Sequence, residues 1–357
     1  MNTTERLSEL LSGGIRKKLF SCAQLWVSDP ERVIIQLCAG TTRSVNNPAA
    51  HVPAGRSINE DTLFDIASIT KPLSTAALVM KAVDEGMLDL KQKLVSIDGV
   101  QFPLWMLGNT VEQLLSHRTM LPAWVDFHSS MPRLEERKQT KQHFERTVML
   151  MEPRTDDNSW CYSDLGYIYL GFILESLYGK PQNELFFEKI ASPLGLERQM
   201  CYRPLHYFNQ DQIAATCAYA NGFIQGHPDD ANARALAHVA GHAGLFSSAK
   251  NIDKYVRALL NHDFPCNSDT IDYFLNFRHI ETPFALGWDR PTSEHSLSGR
   301  KPGDPVIGHL GFTGCSVWID MDTKRVVTLL TNRTHCNSDP GSIATLRKEI
   351  HRICWRL

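Results

Sequence analysis

Residues 61–90 read DTLFDIASITKPLSTAALVMKAVDEGMLDL. The stretch opens with a short extended run, Leu63 to Ile66, followed by Ser68 and then a helical pattern. Ile69, Leu73, Ala76, Met80 and Val83 recur at steps of four, three, four and three, the period of one buried helix face. Gly86 stops the pattern. Pro72 falls in the first turn, where a missing N–H costs little. Ser68 is thus expected at a helix start, among unpaired backbone N–H groups and the positive end of the helix dipole. Lys71 follows one turn later on the same face. A serine hydroxyl needs a neighbouring base to become a nucleophile, and Ser-x-x-Lys puts an amine within reach. The bland alternative is a serine helix cap followed by a solvated lysine. A four-residue pattern alone does not decide between them.

Outward from this stretch the chain divides into three zones. An amphipathic N-terminal helix carries Leu7, Leu10, Leu11 and Ile15 on one face. Two strand-like runs follow, Phe20–Val27 and Arg32–Ala39, joined by the turn Ser28-Asp29-Pro30-Glu31, a hairpin pattern. Thr42 to Asn59 reads as a polar loop. The middle, from Ser68 to about Asp272, is mostly helical, with clear patterns at Val111–Leu115, Thr140–Leu150, Leu165–Tyr178 and Ile252–Leu260. Strands return at Val306–Leu310, Cys315–Asp320 and Val326–Thr331. A closing helix carries Ile343, Leu346, Ile350 and Ile353. The fold class expected is α+β: a sheet joining both chain ends, flanked by helices, with an all-helical region inserted. The unit is read as one body, its α/β part about 1–75 and 280–357 and its helical part about 76–279.

Composition excludes several classes. Of 357 residues, 43% are hydrophobic and 21% charged, with a net charge of −2. That is an ordinary globular chain, with no basic patch for nucleic acid. No apolar run reaches the ~18 residues of a membrane span. The N-terminus has no apolar signal-peptide core, so a cytoplasmic location is expected. The nine cysteines are odd in number and contain no Cys-x-x-Cys, which favours free thiols in a reducing compartment. His238-Val-Ala-Gly-His242 has zinc-helix spacing but lacks the glutamate after the first histidine, and is read as structural.

Two further stretches carry chemistry. In Trp160-Cys-Tyr162-Ser-Asp164-Leu-Gly-Tyr167, Tyr162 and Asp164 fall just before a helix. Asp164 would serve there as a helix cap and Tyr162 as a packing ring. In Gly308-His309-Leu-Gly311-Phe312-Thr-Gly-Cys315, small residues on a strand–turn–strand let a substrate lie against a strand edge, whose N–H can bind an oxyanion.

Taken together, the three stretches resemble the serine β-lactamase and penicillin-binding superfamily, in the branch of class C β-lactamases, related esterases and D-Ala-D-Ala carboxypeptidases. Ser-Ile-Thr-Lys matches the first family motif, Tyr-Ser-Asp the Tyr-x-Asn motif, and His-Leu-Gly the Lys-Thr-Gly motif. Leu114-Leu-Ser-His, Pro193-Leu-Gly-Leu and Gly241-His-Ala-Gly-Leu-Phe-Ser are secondary matches. The resemblance spans about residues 15–356 and implies a central antiparallel sheet beside an all-helical region, with the site between them. It makes Ser68 the acylated nucleophile, Lys71 its basic neighbour and Tyr162 a proton shuttle. The N–H groups of Ser68 and Phe312 would form the oxyanion hole, with Gly311, Asp164 and His309 lining the pocket. It implies no metal and no cofactor.

Two departures shape the functional reading. Asp164 replaces an amide, and an ionised carboxylate only accepts hydrogen bonds. His309 replaces a fixed cation suited to a substrate carboxylate, and an ordinary histidine is mostly neutral at pH 7. Both suit an ester without a carboxylate. The leading reading is a cytoplasmic serine esterase acting on a small-molecule ester, amide or lactam. The alternatives are a D-Ala-D-Ala carboxypeptidase or weak β-lactamase, and a non-catalytic sensor. Oligomeric state stays open, and the stretch from Arg118 to Lys141 could serve as a lid.

Overall fold

A computed structural model describes residues 2–44, 55–131, 137–156, 158–219 and 222–357. Its strands are β1 (Cys22–Ser28), β2 (Val33–Gly40), β3 (Phe64–Asp65), β4 (Cys201–Tyr202), β5 (Ala215–Tyr219), β6 (Gly222–Gln225), β7 (Leu245–Ser247), β8 (Val306–Leu310), β9 (Ser316–Asp320) and β10 (Val326–Thr331). Its α-helices are α1 (Thr3–Arg16), α2 (Ala77–Asp84), α3 (Val111–Leu115), α4 (Arg137–Met149), α5 (Asp164–Tyr178), α6 (Gln182–Phe186), α7 (Ala231–Ala235), α8 (Ala249–Leu260), α9 (Ser268–Asn276) and α10 (Pro340–Cys354). Most of the expected polar loop, residues 45–54, and part of the expected lid, residues 132–136, lie outside the described residues.

The five-stranded sheet runs β2-β1-β10-β9-β8, antiparallel throughout. It therefore joins the two ends of the chain, as the α+β reading expects. Period-two alternation decides what each face buries. Ala23, Leu25 and Val27 of β1 and Val327 and Leu329 of β10 point to one side, where Leu7 and Leu11 of α1 and Ile343 and Ile350 of α10 cover them. Cys22, Trp26, Val326 and Leu330 point to the other side, into the main core. Both faces are covered, which explains why β1 and β10 are buried along their whole length.

The middle of the chain packs around α5, whose residues Leu165 to Leu174 are all buried. A helix apolar all round belongs at a centre, and its neighbours α2, α3 and α6 surround it. Short strands also lie within this helical stretch. β7 pairs with β3 on one edge and β4 on the other, and β5 pairs with β6. Pieces of two to five residues are too short to show a period, so the sequence pattern passes over them.

Candidate active site

The Ser68 turn is built where β3 ends. Ala67–Ile69 forms a 3₁₀ turn, Lys71–Ala76 continues it with the wider π-helical pitch, and α2 follows. The expected helix is one rod of changing pitch, and such π segments concentrate at functional sites. Ala67 sits at φ +49°, a left-handed conformation that costs an L-residue about 1 kcal/mol. Asp65 holds this turn: its Oδ1 accepts from the Ala67 N–H at 2.9 Å and its Oδ2 from the Asp229 N–H at 2.7 Å. Thr313 Oγ1 donates to the Asp65 carbonyl at 2.8 Å, tying the turn to the loop after β8. Gly311 is required there, because a Cβ would lie 2.6 Å from the Ile66 carbonyl oxygen.

Lys71 is fully buried. Its Nζ donates to Ser68 Oγ at 2.9 Å, to Asp164 Oδ1 at 2.7 Å and to the His242 carbonyl at 3.3 Å. Three oxygens therefore surround Nζ, the nearest of them a carboxylate. Asp164 is the first residue of α5, with Ser163 at the cap position. Its carboxylate turns to Lys71 instead of capping the helix.

Tyr162 lines the same cavity as Ser68, and Lys71 Nζ lies 4.8 Å from the centre of its ring. Burial first, and then the negative charges of Asp164 and Asp289, push the phenol well above its ordinary pKa, while the nearby Ser68 hydroxyl pulls the other way. The resting group is therefore a neutral phenol. Its loop is pinned from one side. The Cys161 N–H donates to the His117 carbonyl at 3.0 Å, the Ser163 N–H to His117 Nδ1 at 3.0 Å, and the Asp164 N–H to the Ala123 carbonyl at 2.9 Å. His117 packs 4.7 Å from both the Tyr162 and Phe284 rings. Burial and Lys71 keep it neutral, which leaves Nδ1 free to accept.

Ser68 and Tyr162 open into a cavity of about 450 Å³, lined also by Asp289, His309, Gly311, Phe312, Arg333 and Arg347. His309 faces its own Leu310 carbonyl through Nδ1 at 2.8 Å. Burial and then Lys71 push its pKa down to about 3, so it carries no charge at neutral pH. Asp289 exchanges backbone hydrogen bonds with Gly308 on the edge of β8, and its Oδ1 lies 3.9 Å from His309 Nε2 without a hydrogen bond. Burial raises its carboxyl to about 7, against a smaller opposing pull from Lys71. Among the described lining residues none comes from 118–141, the stretch read as a lid.

The expected residues fall into two groups. Ser68, Lys71 and Asp164 are linked by hydrogen bonds, the Tyr162 ring lies beside Lys71, and Tyr162, His309, Gly311 and Phe312 line the same cavity as Ser68. The reading of Asp164 as a helix cap gives way to the ion pair with Lys71. His238 and His242 are not on a helix and do not converge. His238 stacks on His227 at 4.6 Å, while His242 Nε2 meets Asp230 Oδ1 at 2.9 Å. Asp164, Asp230 and His242 do bring ligand-type atoms within 4.8 Å of one another, but the Lys71 ammonium already occupies the cationic position against Asp164.

The sequence reading missed Asp289, Arg333 and Arg347 and used His117 only as a motif match. Asp289 sits in a loop with no period. Arg347 did leave a signal: Ile343, Arg347, Ile350 and Cys354 step by four, three and four and are all buried, so an arginine stands on the apolar stripe of α10.

A family model described as Beta-lactamase matches residues 9–352. The N-acetylmuramyl-L-alanine amidase of Bacillus subtilis (strain 168) is 29% identical over 306 residues, covering 77% of this chain and 68% of that protein. A putative D-alanyl-D-alanine carboxypeptidase of Escherichia coli (strain K12) is also 29% identical over 306 residues, covering 77% and 70%. Among solved structures, EstCE1, a hydrolase with promiscuous acyltransferase activity, superposes with a TM-score of 0.70 at 16% identity, covering 98% of each chain, a likeness of fold.

Proposed function

This chain belongs to the Beta-lactamase family, and on that premise we propose that it is an acyl-enzyme hydrolase in which Ser68 is the nucleophile and a small-molecule ester the preferred substrate. The observation that carries the reading is that Lys71 Nζ meets Ser68 Oγ at 2.9 Å while Ser68 and Tyr162 line one cavity. Lys71, held against the Asp164 carboxylate, polarises the serine. The neutral phenol then works as a relay. In one concerted transfer Tyr162 Oη takes the Ser68 proton and hands its own proton to the leaving-group oxygen, as the Ser68 oxygen bonds to the carbonyl carbon and the bond to the leaving group breaks. Deacylation runs the same path in reverse: water gives a proton to Tyr162, and Ser68 Oγ receives one. The N–H groups of Ser68 and Phe312 hold the oxyanion in both steps.

Amide or peptide hydrolysis is the second reading, favoured by the names of the two relatives at 29% identity. A leaving amine needs the relayed proton more than a leaving alcohol does, and the same phenol supplies it. A cytoplasmic location is part of the proposal, supported by an odd number of cysteines with no Cys-x-x-Cys among them. The test is hydrolysis of short-acyl nitrophenyl esters by wild type and Ser68→Ala. Ser68→Ala is expected to lose at least about 10³-fold in turnover. Equal rates in the two proteins would end the reading. Turnover of an alanine nitroanilide or a D-Ala-D-Ala peptide above that of the esters would favour the amide reading.

A further inference from the structure

We propose that a second cavity, between the end of β4 and the C-terminal end of α7, is a binding site for the phosphate group of a small molecule. It measures about 440 Å³ and shares no lining residue with the Ser68 cavity. Arg203, Arg234, His206, His227 and His238 line it, and no aspartate or glutamate does.

Arg203 is the cation left open. Its Nε donates to the Ala237 carbonyl at 2.9 Å, and among the described residues its two Nη groups have no acceptor and no ion pair. Arg234 is held differently. Its Nη1 donates to the Pro228 carbonyl at 2.7 Å and to the Asp229 carbonyl, and the Asp229 carboxyl offsets part of its charge. The His227 and His238 rings lie 4.6 Å apart. Every charged or basic group that acts on His238 is basic: His227, Arg203 and Arg234 join burial in lowering it to about 4. Burial and then Arg234 lower His227 as well. These rings are therefore neutral at pH 7. The Nδ1 of His238 is buried with no partner, so the ring keeps its one proton on Nε2, as a donor. The cavity thus holds positive potential and donors, and an anion is what it lacks.

The backbone there is strained. Arg203, Ala237 and His238 all have left-handed φ, at +49°, +57° and +65°. At α7 the Ala237 N–H returns to the Arg234 carbonyl at 3.1 Å and the His238 N–H to the Ala233 carbonyl at 2.8 Å. Glycine normally takes the Ala237 place in such a helix end, and an L-residue costs about 1 kcal/mol there. Strain of this kind concentrates where a ligand is clamped. The carbonyls that would repel an anion are already bonded, Leu236 to Arg137 Nη1 at 2.7 Å and Ala237 to Arg203 Nε.

The donor set selects the ligand. One guanidinium fork matches one carboxylate, whereas two guanidiniums from separate segments and an imidazole donor match a phosphate, with its second charge and third oxygen. A metal ion does not fit, since among the described residues the three imidazoles do not bring three ligand atoms within 4.8 Å of one another. The volume exceeds a phosphate and leaves room beside Leu205 for an organic group.

The test titrates inorganic phosphate, phenyl phosphate and benzoate against the full chain by calorimetry. Proteins are wild type, Arg203→Met, Arg203→Lys and Arg347→Met, the last removing the arginine of the Ser68 cavity. Phenyl phosphate is expected to bind wild type at one site, at least about 10-fold more tightly than benzoate. Arg203→Met should weaken it by about 10-fold or more, Arg203→Lys by less, and Arg347→Met not at all. Inorganic phosphate as tight as phenyl phosphate means that the phosphate alone is read, and weaker binding means that the organic group adds to it. Both outcomes support the site. In wild type the imidazole C2–H signals that disappear in His227→Gln and His238→Gln should move as phenyl phosphate saturates, a readout that stands even if Arg203→Met fails to fold. Phenylboronic acid, which adds reversibly to a nucleophilic serine, reports on the Ser68 cavity, and its affinity should change less than about twofold when phenyl phosphate is saturating. The proposal is overturned if phenyl phosphate gains nothing over benzoate, if those imidazole signals stay still, or if its binding is lost in Arg347→Met or competes with phenylboronic acid. Phenylboronic acid that shows no Ser68-dependent binding would instead overturn the serine-hydrolase reading and leave this site standing.

Discussion

Two buried cations, Lys71 behind Ser68 and Arg347 in the wall of the cavity that Ser68 opens into, are treated in opposite ways. Lys71 has three oxygens around its Nζ, one of them a carboxylate at 2.7 Å. Arg347 has an orphaned Nε and no acid among the groups that act on it. The difference separates two uses of buried charge. A fully partnered cation is part of the folded framework and fixes the groups around it. A cation left without a partner raises the free energy of the folded state and gains its compensation only from something that enters. The same contrast holds between the arginines, since Arg333 is spent on backbone carbonyls and Arg347 is not.

The widest test of this contrast is removal of the partnered cation. Lys71→Met leaves Asp164 and the His242 carbonyl without their donor. Turnover is expected to fall at least about 10³-fold, as for other members of a mutually dependent catalytic set. Stability should fall by about 2 kcal/mol. Loss of one member of a fully buried pair costs roughly 3–5 kcal/mol, and Asp164 keeps 19% of its side chain exposed. Arg347→Met should be neutral or stabilising in the same urea titration. Equal destabilisation by the two substitutions would break the comparison.

A smaller effect is expected where the serine turn meets the sheet. Gly311→Ala introduces a Cβ 2.6 Å from the Ile66 carbonyl oxygen and 3.1 Å from Cys315 Cβ. The backbone of both segments must part, which moves the Ser68 turn away from the Phe312 N–H. Displacement near 1 Å typically costs about 10²-fold in rate, with about 1–3 kcal/mol of overpacking strain. Ester turnover and a urea midpoint read the two losses separately. Phenylboronic acid affinity should fall with the rate, because the adduct oxygen uses the same pocket.

Much of this was legible in the sequence, for identifiable reasons. The strand-like runs Phe20–Val27 and Val326–Thr331 and the three-and-four steps after Ile69 pointed to the sheet and the helix. The relation of Ser68, Lys71, Tyr162 and Asp164 followed from motif order. What stayed hidden depends on tertiary contact. Ala67 takes a left-handed φ because Asp65 and Thr313 grip it from two directions. Asp289 reaches the site only through backbone pairing with Gly308, which no local period announces. Arg347 was the exception, visible as a charge on an apolar stripe but passed over for the neighbouring Leu346.

The smallest expected effect concerns Asp289, the counterpart of Arg347: an acid whose Oδ1 has no hydrogen bond, facing a neutral histidine. Its folded pKa, about 7, lies above the ordinary 3.8 because burial disfavours the carboxylate. Between those values the unfolded chain has released the proton while the folded chain still holds it, so the folded state loses stability as pH rises from about 4 to about 7. Below that window both states are protonated, and above it both are ionised and the penalty is constant. Asp289→Asn removes the ionisation. Relative to wild type it should match in stability at pH 4, pull ahead through pH 5 and 6, and level off above pH 7. The plateau is expected at about 1–2 kcal/mol, below the full linkage value because the carboxyl edge still meets the water of the cavity. Asp65 and Asp229 are also raised, to about 7 and about 6, and bend the wild-type curve the same way. The comparison is therefore made between the two proteins at each pH. A difference that is already present at pH 4, or that shrinks as pH rises, would show that Asp289 is ionised and partnered in the folded state, leaving Arg347 as the one unmatched charge in the cavity wall.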